Sequence, residues 1–154
     1  MLDSECLEIF NKYLTEVKKC SQNTLSSYLR DIRQLSEYME THVDDSLDKV
    51  TEDELSDYIN WLKGNGKSVA TVSRAIASIK SFYSVLVTDG HIEESPASKL
   101  VPDKPAQKLP QILTSKEVEL LLEQPSCTDA KGYRDRAMLE LLYATGIRVS
   151  ELIS

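Results

Sequence analysis

The residue best suited to chemistry in this sequence is an arginine that directly follows a helix stop. Residues 132–145 are predicted to form an apolar helix, and Gly146 can end it because glycine adopts a left-handed turn without steric cost. Arg148 then stands at the start of a new helix, with Glu151 one turn further on. A guanidinium stays charged at any working pH, and its planar fork can bind two anionic oxygens at once. This pattern is suited to holding an oxyanion, with Glu151 orienting the guanidinium from behind.

Two earlier segments carry residue types that bind phosphate. The helices predicted to begin near Ser21 and Ser68 both open with small polar residues and have lysine and arginine residues nearby. Helix N-termini direct N–H groups at anions, and outward polar side chains can read bases in a major groove. The candidate DNA-contacting residues are Lys18, Lys19, Asn23, Thr24, Arg30, Arg33, Lys67, Ser68, Thr71, Arg74 and Lys80. An alternative remains for Thr24 and Ser68, which can also be helix caps and nothing more.

The net charge by itself argues against a nucleic-acid partner. The chain has 18 Lys and Arg residues against 25 Asp and Glu residues, a formal net charge of −7 over 154 residues. The charge is unevenly distributed, however, because residues 37–57 hold nine acids and one base, whereas residues 58–88 hold four bases and no acid. This distribution predicts a positive face on an acidic body, and chance clustering of solvated charge is the alternative.

The cysteines and histidines do not form a metal-binding pattern. Cys6, Cys20 and Cys127 lie too far apart for a metal pair or a disulfide scaffold, which predicts buried, reduced thiols. His42 and His91 are isolated from them, so neither a metal nor another cofactor is expected.

No apolar run approaches the roughly 20 residues of a membrane helix, and no signal pattern opens the chain. We therefore expect a cytoplasmic protein without a membrane partner.

Helical periodicity dominates the chain, and the predicted fold class is all-α. Four helices are predicted in residues 1–100, with capping boxes predicted at Thr51 and, after the linker, at Thr114. The apolar stripe of the first helix is Leu2, Cys6, Ile9, Phe10, Tyr13 and Val17. Three prolines in residues 101–111 predict a semi-rigid linker. In the helix over residues 132–145, the side chains expected to be buried are Tyr133, Ala137, Met138, Leu141 and Leu142.

The order of these segments resembles the tyrosine recombinases of the phage integrase family, most closely the Xer type. Residues 21–40 and 68–100 are similar to the family's N-terminal core-binding domain. The most specific part is the run Ala144-Thr145-Gly146-Ile147-Arg148-Val149-Ser150-Glu151-Leu152, which resembles the first catalytic segment. The resemblance implies a four-helix SAM-like core-binding domain over residues 1–100, a linker over 101–111 and an incomplete catalytic domain over 112–154.

The resemblance also implies a reaction and its partners. Arg148 would grip the scissile phosphate during a metal-free transesterification that passes through a phosphotyrosyl intermediate, with Glu151 in support. The expected partners are duplex DNA with inverted-repeat sites and a homo- or hetero-tetramer of recombinases, in which both domains clamp the DNA. The family's other catalytic groups (a lysine, a His-x-x-Arg box, a further His or Trp and the nucleophilic tyrosine) lie downstream of this segment. This chain is therefore expected to bind DNA without cleaving it.

Residues 112–154 number too few for a core of their own, so their helices are expected to be loosely packed or docked elsewhere. Two other functions remain open from the sequence. The chain could be a helical module that binds a partner protein, or a decoy that occupies recombination sites. The sequence is compatible with two biological roles, chromosome partition and mobile-element integration.

Overall fold

The computed structural model describes residues 3–43, 46–103 and 111–154, and every regular element within them is a helix. The predicted all-α class is therefore confirmed. The chain separates into two compact units, Met1–Ala106 and Gln107–Ser154. This division falls inside the predicted linker, of which residues 104–110 lie outside the described residues. The domain bounds 1–100 and 112–154 stay predictions.

The first unit contains four α-helices: α1 (Asp3–Lys12), α2 (Gln22–His42), α3 (Glu52–Gly64) and α4 (Val69–Thr88). Helix α4 packs against each of the other three. It is the most apolar of them, and its buried face runs from Val72 to Leu86. At the centre, the Phe10 and Phe82 rings meet edge to face with their centroids 5.4 Å apart. The core of this unit is thus built around α4.

Local hydrogen bonds cap the start of α3 at the residue that the sequence predicts. The hydroxyl of Thr51 accepts from the backbone N–H of Glu54, and the Glu54 carboxylate accepts from the backbone N–H of Thr51, which confirms the capping box. Helix α3 ends at Gly64, and Gly66 follows with a φ of 71°, a conformation that glycine adopts without strain. The turn from α3 into α4 is therefore short and well defined.

The predicted apolar stripe of the first helix is wrong at its C-terminal end. Residues Tyr13–Val17 form a π-helical turn that continues α1, in which the N–H of Lys18 donates to the carbonyl of Tyr13 at 2.9 Å. This wider turn rotates the chain, so that Leu14 is fully buried and Val17 is 70% exposed. Leu2, also placed on the stripe, lies outside the described residues.

The pKa values of core side chains predict that the first unit loses stability in alkali. Burial, reinforced by the charges of Asp48 and Asp3, raises the pKa of Cys6 to about 11. Because the exposed thiol of the unfolded chain ionises at lower pH, the folded state loses stability as pH rises from 9 towards 11. We expect the free energy of unfolding to fall by about 2 kcal/mol over this range from Cys6 alone, measured by urea titration. The Cys6→Ala variant should lose this part of the pH dependence, and curves of equal slope would contradict the assignment.

The second unit contains α5 (Ser115–Glu123), α6 (Ala130–Thr145) and the short α7 (Val149–Leu152). The capping box of Thr114 and Glu117 is confirmed. Helix α6 begins two residues earlier than predicted, because Asp129 caps it by accepting from the N–H of Gly132 at 2.7 Å. A Cβ at Gly132 would overlap the backbone carbonyl of Ser126, so this position requires glycine.

The burial predicted for α6 is largely wrong. Tyr133 is 63% exposed, Leu141 is 46% exposed and Ala137 is also exposed, whereas Met138 and Leu142 are half-buried. Within residues 111–154, no apolar side chain is fully buried. Three helices of this length do not enclose a core, because every apolar stripe needs a facing layer.

Candidate nucleic-acid interface

An open groove of about 670 Å³ lies between α2 and the beginning of α4. It brings together five of the predicted DNA-contacting residues, namely Arg30, Arg33, Lys67, Thr71 and Arg74. Two of them come from one predicted segment and three from the other, so side chains about 40 residues apart in sequence line one concave surface. Packing of α2 against α4 creates this juxtaposition.

The groove is more positive than the protein that carries it. Its lining includes four basic side chains (Arg30, Arg33, Lys67 and Arg74) and two acidic ones (Asp31 and Glu37), whereas the whole chain has a formal net charge of −7. Among the described acids of the acidic segment 37–57, Glu37 alone lines it. A positive concave surface on an acidic protein concentrates polyanions at one place and repels them elsewhere.

Helices α2 and α4 begin in the same way. Ser21 caps α2 and accepts from the N–H of Thr24, and Ser68 caps α4 and accepts from the N–H of Thr71. In each pair the two hydroxyl oxygens lie 2.9 Å apart. Neither helix has an acid in its first turn, unlike α3, which has three. Ser21 and Ser68 are therefore N-caps, and neither helix has a carboxylate in its own first turn that would neutralise the positive end of its dipole.

Lys18 and Lys19 lie on the segment that joins the π-helical turn to α2. The ammonium of Lys18 sits over the ring of Tyr28, 5.1 Å from its centroid, which is a cation–π arrangement. Lys19 has a φ of 48°, and it is the one residue with positive φ that is not glycine in the described ranges. A lysine in this conformation is unfavourable by about 1 kcal/mol relative to an ordinary backbone. Lys19 is thus held where glycine would be more stable.

Replacing Lys19 by glycine should raise the stability of the protein and, if Lys19 contacts DNA, lower its DNA affinity. We expect Lys19→Gly to raise the free energy of unfolding by about 0.5 to 1 kcal/mol, because the left-handed backbone is no longer strained. If Lys19 contacts a phosphate, the same variant should bind duplex DNA several-fold more weakly. Thermal unfolding and fluorescence anisotropy measure the two effects. A stabilised variant with unchanged DNA affinity would show that Lys19 does not contact DNA.

The structure does not bring every predicted residue to the groove. Lys80 lies about 120° around α4 from Arg74, given 100° per residue, and does not line the groove. Lys18, Lys19, Asn23, Thr24 and Ser68 do not line it either, and they lie just before or in the first turns of the two helices. The groove also includes polar residues that the sequence prediction omitted: Gln22, Ser26 and Gln34. Together with Arg30 they recur every four residues along α2, a polar stripe that was readable in the sequence.

Arg74 is held by a buried carboxylate at the floor of the groove. Its Nε donates to Oδ2 of Asp31 at 3.1 Å, and its Nη2 donates to Oδ1 at 2.9 Å. The hydroxyl of Ser78 donates to the same carboxylate at 2.8 Å. The Asp31 side chain is 5% exposed, whereas that of Arg74 is 42% exposed. The hydrogen bonds to Asp31 raise the pKa of Arg74, which is charged throughout.

In the second unit, Arg148 occupies the N-cap position of α7, directly after the turn at Gly146. Gly146 ends α6 with a φ of 67°, and its N–H donates to the carbonyl of Leu142 at 2.9 Å. Glu151 accepts twice from Arg148, from its backbone N–H at 2.9 Å and from Nη1 at 3.1 Å. The Arg148 side chain is 81% exposed. The guanidinium is therefore braced from one side and open to solvent on the others.

Residues 3–43, 46–103 and 111–154 hold no group of three or more His, Cys, Asp or Glu side chains placed to bind a metal. Cys6, Cys20 and Cys127 are free thiols, of which Cys6 is buried and the other two are half-buried. No described helix combines the length and apolar character needed to cross a membrane.

Comparison with known proteins identifies the family. The model described as "Phage integrase, N-terminal SAM-like domain" matches residues 7–90, and that of the "Phage integrase family" matches residues 111–154. The tyrosine recombinase XerD of Oceanobacillus iheyensis is 42% identical over 149 residues, and that of Staphylococcus aureus is 36% identical over 147; each alignment covers 96% of this chain and 50% of the relative.

Solved structures agree with this result. The crystal structure of XerA recombinase matches with a TM-score of 0.53 and 27% identity, covering 97% of this chain and 48% of that one. The chain spans about half the length of the relatives that it matches. On the evidence of both family matches and these relatives, the chain belongs to the phage integrase family of tyrosine recombinases.

Proposed function

We propose that this chain is the DNA-binding portion of a site-specific recombinase, and that its first unit binds duplex DNA through the groove between α2 and α4. The observation that carries the proposal is the convergence of Arg30, Arg33, Lys67 and Arg74 on one concave surface of a protein whose net charge is −7. Cationic side chains and helix N-termini without an acid in the first turn are groups that bind phosphates.

The polar side chains of α2 supply a means to read sequence as well as to bind. Gln22, Ser26 and Gln34 line the groove beside the arginines. In a major groove, glutamine can form paired hydrogen bonds with adenine and arginine can do so with guanine. The serine hydroxyl can form a hydrogen bond with either kind of base edge. We assign phosphate contacts to the basic side chains Arg30, Arg33, Lys67 and Arg74, and contacts with nucleotide base edges to Gln22, Ser26 and Gln34. Inverted-repeat sites are the expected targets, as the family resemblance implies.

In the second unit, Arg148 is assigned to the scissile phosphate. Attack by a tyrosine hydroxyl places negative charge on the non-bridging oxygens, and a guanidinium already in position stabilises that charge. Glu151 holds one side of the guanidinium and leaves its outer donors free. The nucleophile and the remaining catalytic groups are assigned to the part of a recombinase that follows this segment. Action in a recombinase tetramer is part of the same proposal.

The salt dependence of DNA binding tests the first unit's role. The affinity of the chain for a fluorescent duplex with an inverted repeat is measured by anisotropy from 50 to 200 mM salt. Four neutralised phosphates give a logarithmic slope of about −3.6, which corresponds to roughly a 100-fold loss over that range. No binding, or an affinity that does not change with salt, would contradict the proposal and favour a protein-binding module.

A further inference from the structure

The buried carboxylate under the groove has a function that follows from its geometry. Asp31 lies on α2 and Arg74 on α4, and the two side chains make a bidentate pair that joins the helices. Both side chains line the groove, but that of Asp31 is 5% exposed and offers little surface to a ligand, whereas that of Arg74 is 42% exposed. A guanidinium has five N–H donors, and two of them are used in this pair. The remaining donors belong to Nη1 and Nη2, at the end of the side chain.

We infer that Asp31 is a positioning residue for DNA binding, which holds the Arg74 guanidinium in one orientation so that its remaining donors meet a DNA phosphate. This inference rests on the proposed function of the groove. A free arginine loses rotamer freedom when it binds, whereas one already held by a buried partner has lost it on folding. Ser78 completes the arrangement, because its hydroxyl donates to the Asp31 carboxylate at 2.8 Å and restrains it.

Asp31→Asn should change the DNA affinity in the direction opposite to that expected from its change of charge alone. Removing a negative charge from a DNA-binding surface ordinarily strengthens binding, because it reduces repulsion of the phosphates. Asp31→Asn removes one negative charge, and yet it should weaken binding because Arg74 is no longer held. Glu37 provides the matched control, since it lines the same groove and is exposed. Glu37→Gln makes the same change of charge without touching the Arg74 pair, and it should strengthen binding.

The test measures DNA affinity and its salt slope for the wild type, Asp31→Asn, Glu37→Gln, Arg74→Gln and the Asp31→Asn/Arg74→Gln double variant. We expect Asp31→Asn to lose about tenfold in affinity, the effect of one charge-assisted hydrogen bond. Its salt slope should stay near that of the wild type, because Arg74 keeps its charge. Arg74→Gln should lower both the affinity and the magnitude of the slope, the latter by about 0.9. In the double variant, Asp31→Asn should add nothing to the loss caused by Arg74→Gln.

Several results would overturn the inference. Asp31→Asn binding as tightly as the wild type, or more tightly, would mean that Asp31 only neutralises Arg74. An equal loss from Asp31→Asn and Glu37→Gln would point to general disturbance of the groove. A further loss from Asp31→Asn in the Arg74→Gln background would mean that Asp31 does not act through Arg74. A wild type that binds no DNA is a different failure, because it removes the proposed function itself.

Stability is measured for every variant, because Asp31→Asn also weakens a link between two helices. If that variant does not fold, Ser78→Ala carries the test, since it removes one of the three hydrogen bonds on the carboxylate and leaves the ion pair. We expect Ser78→Ala to lose about threefold in affinity, a smaller effect because a neutral donor is lost. No loss in this variant would overturn the inference. The loss should vanish when Arg74→Gln is also present, and persistence of the loss would overturn it equally.

Discussion

Replacing Arg30, Arg33 and Lys67 together by glutamine should weaken duplex binding by about 100-fold, the combined effect of three phosphate contacts. All three side chains are exposed and line the groove between α2 and α4. Each contact releases counterions from the DNA. The magnitude of the salt slope of the affinity should therefore fall by about 2.7, or 0.9 for each basic side chain removed. Anisotropy titrations of wild type and variant at several salt concentrations measure both quantities. Stability should change little, since each substituted residue is on the surface.

The control for this prediction has the same change of charge at another place. Lys12, Lys49 and Lys99 are exposed and do not line the groove. Lys99 pairs with Glu52 at 2.9 Å, a surface contact that contributes little to stability. Replacing these three by glutamine should change the affinity by less than about threefold. Equal losses in the two triple variants would show that total charge, and not the groove, controls binding. A partner protein bound equally well by both would favour the interaction-module interpretation.

Arg148→Ala should reduce the formation of a covalent protein–DNA adduct by about 10³-fold, the effect of removing a preorganised charge from a transition state. The measurement uses a chimera in which this chain is joined to the second half of the Oceanobacillus iheyensis relative, together with a nicked suicide substrate. DNA affinity should change by less than about fivefold, because a single exposed arginine makes at most one of several phosphate contacts.

Two further variants test whether position or charge matters in the chimera. Arg148→Lys keeps the charge but loses the planar fork, so most of the loss should remain. Arg134 is an exposed arginine of the same unit, paired with its neighbour Asp135. Arg134→Ala should leave adduct formation nearly unchanged. A similar loss in both alanine variants would contradict the role assigned to Arg148. A phosphotyrosyl adduct on the unfused chain would contradict the assignment of the nucleophile to the following segment.

Short-range features of the fold were predictable from sequence. The capping boxes of Thr51 and Thr114 depend on contacts three residues apart, and the stop at Gly146 depends on one residue's conformation. The contact between Arg148 and Glu151 has the same local character. Such features depend mainly on the chain's own geometry, which explains why they occur where the pattern places them.

The prediction of buried side chains in the first helix is wrong where the backbone departs from regular helical geometry. A stripe at steps of three and four residues places Val17 inside, but a π-helical turn over Tyr13–Val17 exposes it and buries Leu14. The pattern of apolar residues does not reveal that extra residue per turn. In α6 the pattern was correct in kind, but burial also needs a facing surface, and Tyr133 and Leu141 have none within the described second unit.

The amino-acid sequence alone determined the all-α class, the starts of α2, α3, α4 and α5, the two basic segments and the family, because these depend on local propensity and motif. The tertiary structure decided which of the basic residues share a surface. Asp31 and Arg74 are 43 positions apart, and the packing of α2 against α4 places a buried carboxylate beneath an exposed guanidinium. Sequence spacing cannot specify such a pair, because long-range contacts depend on how helices pack and not on the periodicity of either helix.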